Sequence, residues 1–155
     1  MGRSETGVDR RVAKRVLVVE DNELNLRLFC DLLRAHDYET EGLRDGREAL
    51  ARARAFMPDL IVMDIQMPHV TGLELTEAIR ADETLRAMPI MAVTAYAGKA
   101  DEDRIRAAGA DAYVSKPISL MRFIETVEGL ANRTPATILT VPAPIPVTGS
   151  AITET

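Results

Sequence analysis

Four short apolar runs punctuate the chain, and each leads into a polar residue capable of chemistry. Val16-Leu17-Val18-Val19 runs into Glu20-Asp21, and Leu60-Ile61-Val62-Met63 into Asp64. Ile90-Met91-Ala92-Val93 runs into Thr94, and Ala112-Tyr113-Val114-Ser115 into Lys116-Pro117. Runs this short and continuously apolar suit strands buried on both faces of a parallel sheet. A fifth segment, residues 38–41, alternates polar and apolar positions instead, as an edge or half-exposed strand does.

Helical spacing fills the intervals. Asp21-Asn22 can cap a helix that starts at Glu23 and carries Leu24, Leu28 and Leu32, with Phe29 and Leu33 beside them, up to His36. Residues 47–56 read as a second helix, stopped by Pro58, and Gly72 opens a third through Leu75, Ile79 and Arg80. A polar loop around residues 82–86 precedes the fourth strand. Residues 101–108 form a short helix closed by Gly109. The last helix spans 120–131, with Leu120, Phe123, Ile124, Val127 and Leu130 on one face. Five β-α units in succession predict an α/β fold, a doubly wound parallel sheet with helices on both faces.

Composition refines this picture at the ends. The chain of 155 residues is 46% apolar and 28% charged, the balance of one globular domain. Residues 1–14 are expected to be a mobile basic extension, residues 15–131 the folded domain, and residues 132–155 an extended, largely unpacked tail. That tail is rich in Thr and holds Pro135, Pro142, Pro144 and Pro146. Formal net charge is −5, yet residues 1–15 carry +3 and residues 132–155 carry 0, which leaves −8 on the body. An acidic body disfavours direct DNA binding. No apolar stretch is long enough to insert into a membrane, and no signal-peptide pattern opens the chain. The lone Cys30 fits a reducing, cytoplasmic setting and reads as an ordinary small helix residue. His36 and His69 lack partners at metal-ligand spacing.

Ligands of such sheets gather beyond the carboxyl ends of the strands. Glu20, Asp21 and Asp64 therefore converge with Thr94 and Lys116. Like charges packed together need a cation, and a hard divalent ion bound by carboxylates, the Gln66 backbone carbonyl and water is the natural one. Mg2+ fits, with Mn2+ as a substitute. Asp64, at the end of the central strand, can act as a nucleophile toward a phosphoryl donor and form an aspartyl phosphate. Lys116 would neutralise charge on the transferring group, and Thr94 would donate a hydroxyl to it. A cis bond at Pro117 would aim the lysine inward. Taken singly, Glu20-Asp21 also suits a helix cap, Asp64 and Thr94 strand-end turns, and Lys116 a solvated cation. Four successive strand ends together favour the phosphoryl site.

These residues, with Asp64-Ile65-Gln66-Met67-Pro68, Thr94-Ala95 and Lys116-Pro117 in this spacing, resemble the receiver domains of bacterial two-component response regulators. The resemblance covers residues 15–131 and implies a flavodoxin-like fold with strand order 2-1-3-4-5. It implies Asp64 as phosphoacceptor, Glu20, Asp21, Asp64 and the Gln66 carbonyl as magnesium ligands, and Thr94 and Lys116 as phosphoryl contacts. Tyr113 would be an aromatic switch that turns inward as Thr94 moves, and Gln66 and Tyr96 would tune the phosphoryl lifetime. A narrower likeness lies in residues 19–25, 37–40 and 115–119, which resemble single-domain receivers that control cell division and polarity. It implies histidine kinases, phosphatases or phosphotransfer proteins and downstream regulators as partners, recruitment to membrane-bound kinases at cell poles, and a monomer or weak homodimer. No catalysis beyond self-phosphorylation and self-dephosphorylation is expected.

Two rival functions start from the same residues. An aspartyl-phosphate hydrolase usually places a second acid two positions after the nucleophile, where this chain has Gln66, and no region is long enough for a substrate-closing cap. A phosphorylation-independent adaptor would have no need of an intact acidic pair, Asp64, Thr94 and Lys116.

Overall fold

The apolar runs form strands where their pattern predicts. A computed structural model describes residues 13–95, 98–132 and 145–146. Along the chain come β1 (Arg15–Val19), α1 (Glu23–Ala35), β2 (Glu39–Leu43), α2 (Ala49–Phe56), β3 (Leu60–Asp64), α3 (Gly72–Ala81), β4 (Ile90–Thr94), α4 (Lys99–Ala108), β5 (Ala112–Ser115), α5 (Leu120–Ala131) and β6 (Ile145–Pro146). The strands pair in parallel in the order β2-β1-β3-β4-β5-β6. This is the flavodoxin-like order 2-1-3-4-5, with β6 added outside β5.

Alternation along each strand separates two cores. Leu17, Val19, Ile61, Met63, Ile90, Ala92 and Tyr113 face the side closed by α2, α3 and α4, where Phe56, Ile79 and Ile105 meet them. Val16, Val18, Leu60, Val62, Met91, Val93 and Val114 face α1 and α5. There Phe29 and Phe123 stack with ring centroids 4.9 Å apart and tie the two helices together. Cys30 is buried in this second core, and burial pushes its thiol pKa up, so it packs as a small apolar residue.

Helix boundaries follow local chemistry. Asn22 caps α1 by accepting from the Asn25 N–H, and Thr71 and Glu74 form a reciprocal capping box on α3. The second helix starts later than its pattern predicts. Asp45 accepts from Arg47 N–H and holds Gly46–Glu48 in a tight 3-10 turn before α2. Gly109 closes α4 with φ of 110°, as expected of that glycine.

Two apolar faces differ from expectation. In α1 the buried residues are Phe29, Cys30 and Leu33, whereas Leu24 is 77% and Leu28 44% exposed. In α5 the stripe is buried except for Leu120, which is exposed together with Met121. The tail also differs in part: Ile145–Pro146 lies beside β5, while residues 133–144 and 147–155, and residues 1–12 of the expected basic extension, fall outside the described residues.

An ion pair fastens the end of the sheet away from the strand tips. Arg80 in α3 donates to Asp111 Oδ2 at 2.9 Å and also to the carbonyls of Gly109, Arg86 and Met88. Asp111 Oδ2 accepts the Ile90 N–H as well. Asp111→Ala strands a half-buried guanidinium and a β4 amide, and is expected to lower unfolding free energy by about 3 kcal/mol in urea titration. Phosphorylation of the folded fraction should be unchanged, and a loss under about 1 kcal/mol would show the clamp to be dispensable.

Candidate phosphoacceptor site

The carboxyl ends of four strands build the site. Glu20 and Asp21 follow β1, Asp64 ends β3, Thr94 ends β4, and Lys116 follows β5. Oxygens of Glu20, Asp21 and Asp64 lie within 4.8 Å of one another. Glu20 and Asp64 are each only 1% exposed, while Asp21 is half-buried. Lys116 Nζ stands 3.5 Å from Asp64 Oδ1 and 3.9 Å from Glu20 Oε1, so one ammonium is shared by two buried carboxylates. The Lys116–Pro117 bond is cis, as expected.

The carboxylate oxygens are unequally satisfied. Asp64 Oδ1 accepts the Gln66 N–H at 3.1 Å, and Glu20 Oε2 accepts the Asn22 N–H at 3.2 Å. Asp64 Oδ2 and Glu20 Oε1 are buried without a hydrogen-bond partner among the described residues. Burial and the adjacent Glu20 carboxylate push the Asp64 pKa up to about 8, against the opposing pull of Lys116. Orphaned buried oxygens in an acidic cluster are costly, and a divalent cation with a preference for oxygen ligands would satisfy them. The donor set therefore fits Mg2+.

Gln66 has a second attachment that sequence reading missed. Its side-chain amide donates to Thr94 Oγ1 at 3.1 Å, and its carbonyl oxygen accepts the Ala95 N–H at 2.8 Å. The residue two positions past Asp64 thus spans to the end of β4 and holds the start of the following loop. Only its position after Asp64 hinted at a role. Tyr113 is buried in the core facing α4, in the same cluster as Ala92 and Ile105, so its ring already lies inward. Tyr96 lies outside the described residues.

Gly72 also escaped notice as a site residue. A Cβ on it would stand 2.4 Å from the Asp64 carbonyl oxygen and 2.8 Å from Ile65 Cα. The first turn of α3 rests directly against the backbone that carries Asp64, and the Gly72 N–H donates to the Ile65 carbonyl at 3.1 Å.

Comparison with known proteins agrees with this geometry. The response regulator receiver domain family matches residues 16–128. The polar-differentiation response regulator DivK of Brucella ovis is 57% identical over 117 residues, which cover 76% of this chain and 95% of that protein. Chemotaxis protein CheY4 of Vibrio cholerae superposes with a TM-score of 0.73 at 29% identity, over 77% of this chain and 99% of that one. The receiver domain of sensor histidine kinase PA1611 from Pseudomonas aeruginosa, solved with a magnesium ion coordinated in its active site cleft, has a TM-score of 0.72 at 30% identity, over 79% and 100%. With the family matched over residues 16–128 and the sheet in the flavodoxin-like order, the chain belongs to the response regulator receiver domains and is DivK-like among them.

Proposed function

We propose that this protein is a phosphorylation switch in which Asp64 takes a phosphoryl group from a phosphohistidine of a histidine kinase or phosphotransfer protein. The observation that carries the reading is the pair of buried oxygens, Glu20 Oε1 and Asp64 Oδ2, that lack a hydrogen-bond partner among the described residues, within a cluster holding Asp21 and the Lys116 ammonium. In the transfer an Asp64 carboxylate oxygen bonds to phosphorus, the phosphorus–nitrogen bond breaks, and its electron pair returns to the imidazole ring. Lys116 offsets the charge of the arriving group. Mg2+, or Mn2+ in its place, when held by Glu20, Asp21, Asp64 and the Gln66 carbonyl, would supply further charge neutralisation.

The switch follows from the Gln66 bridge. A phosphoryl oxygen on Asp64 would accept from the Thr94 hydroxyl, whose oxygen accepts the Gln66 amide. If Thr94 turns to the phosphoryl group, the loop after β4 moves with it and the inward position of Tyr113 is favoured. The surface of α4, β5 and α5 then changes its affinity for protein partners. Gln66 and Tyr96, two positions after Asp64 and Thr94 in the sequence, would set its lifetime. Residues 15–131 would be the complete switch.

Exposed apolar residues beside the site support docking of a donor protein. Leu24 and Leu28 lie on the first turns of α1, and Leu120 and Met121 on the first turn of α5, and both helices start where the acids and Lys116 end. The likeness to DivK points to cell-polarity or cell-division control, in the cytoplasm and at kinases in the membrane of the cell pole. No described helix is long and apolar enough to cross a membrane.

Acetyl phosphate with and without Mg2+, read by intact mass beside Asp64→Asn, tests the proposal. One Mg2+-dependent adduct, absent in the variant, is the expected result. No adduct on folded protein, with kinase transfer also failing, would leave a phosphorylation-independent adaptor.

A further inference from the structure

Gln66 is bound at both ends of its amide, and the two bonds are not interchangeable. The Ala95 N–H can only donate, so Gln66 Oε1 is the atom that receives it, at 2.8 Å. Nε2 is left for Thr94 Oγ1, at 3.1 Å, and an amide nitrogen has only protons to give. The backbone bond to Ala95 therefore fixes the direction of the side-chain bond to Thr94. Thr94 Oγ1 accepts from Gln66, and the hydroxyl proton must go to a different acceptor.

The surroundings make that polarity matter. Asp64 pairs with Val93, so Thr94 stands one residue past the partner of Asp64 on the neighbouring strand. The Lys116 N–H donates to the Thr94 carbonyl at 2.7 Å, which pins the Thr94 backbone to the residue carrying the site's ammonium. Gln66 is fastened on the opposite side, where its own N–H donates to Asp64 Oδ1 at 3.1 Å. Thr94 is buried, so water does not set the direction of its hydroxyl. A phosphoryl group offers strong acceptor oxygens, and a hydroxyl serves it by donating.

We propose that Gln66 is a positioning residue that sets the Thr94 hydroxyl as a hydrogen-bond donor for the group on Asp64. A mere anchor for the loop after β4 would work with either polarity. A carboxylate at position 66 would also accept the Ala95 N–H, but it would take the Thr94 proton for itself. The inference rests on the proposed phosphoryl site and adds to it the direction of one proton.

Beryllium trifluoride, which takes a lone pair from a carboxylate oxygen and imitates a phosphoryl group, provides the probe. Its affinity in Mg2+ is measured by calorimetry for the native chain, Thr94→Val, Gln66→Glu and the double variant. Thr94→Val is expected to weaken binding about tenfold when position 66 is Gln. With Glu there, the same substitution should change it by less than about twofold, because the proton is already withheld. Comparison within each background cancels the added charge of the glutamate. Equal effects of Thr94→Val in the two backgrounds would overturn the inference alone. Absence of Mg2+-dependent binding by the native chain would overturn the phosphoryl site and the inference with it. Hydrogen exchange of the unliganded chain checks the bridge itself: the Ala95 amide is expected to exchange about tenfold faster in Gln66→Met. An unchanged Ala95 rate in that variant would show that no bridge sets Thr94, and would also overturn the inference.

Discussion

Raising the pH of the metal-free protein from about 5 to about 8 lowers its stability, and Mg2+ restores more of it at the upper end of that range. The cause is Asp64. Burial and Glu20 raise its folded pKa to about 8, whereas an unfolded aspartate titrates near ~3.9. Below the unfolded value the carboxyl is neutral in both states and the folded state bears no penalty. Between the two values the folded protein binds a proton that the unfolded chain has released, so stability falls steadily as pH rises toward the folded value. A loss of order 3 kcal/mol across the window corresponds to a melting temperature lower by roughly 10 °C. A divalent cation replaces that proton, and its binding is correspondingly tighter at high pH. Thermal melts in EDTA and in Mg2+ at both ends of the range measure the effect. Asp64→Asn should flatten the metal-free profile. A variant profile as steep as the native one would assign the slope to other groups.

Placing a methyl group at position 72 damages both the fold and the site. The atoms that a Gly72→Ala side chain meets are the Asp64 carbonyl oxygen at 2.4 Å and Ile65 Cα at 2.8 Å, and backbone at the centre of a sheet does not yield as a flexible side chain does. The first turn of α3 must retreat, which weakens the Gly72 N–H bond to Ile65 and the buried Thr76 hydroxyl bond to the Gly72 carbonyl. A cost of about 3 kcal/mol in urea denaturation is expected, with phosphorylation of the folded fraction slowed by tenfold or more (of order 1–2 kcal/mol in barrier) as Asp64 shifts. Native stability together with a native phosphorylation rate would mean that the helix start moves without strain. Gly129, on α5 with no atom within 4 Å of an added Cβ, provides the control: Gly129→Ala should be neutral or stabilising.

The parallel sheet and its edge strand were legible in local signals, whereas the strand order was legible only through the family resemblance. Continuous apolar runs require burial on both faces, and the alternating run at β2 marks an edge. The site was legible for the same reason: strand ends in a parallel sheet share one rim, so acids and a lysine distant in sequence had to meet. The side-chain faces of α1 were less clear, because Leu24 and Leu28 repeat at helical spacing as well as Phe29 and Leu33 do. Only the position of α5, through Phe123, decides which stripe is inward.

By itself, then, the chain's pattern of apolar runs and polar ends determined the α/β architecture, the strand order through its family likeness, and the gathering of Glu20, Asp21, Asp64, Thr94 and Lys116. These follow from burial and periodicity, which act over a few residues. Tertiary structure alone decided that Gln66 reaches Thr94, that Gly72 touches the Asp64 backbone, that leucines of α1 remain exposed beside the site, and that Ile145 returns to β5. Each of those contacts joins segments whose separation depends on how helices cross the sheet, and no short-range pattern encodes such a distance.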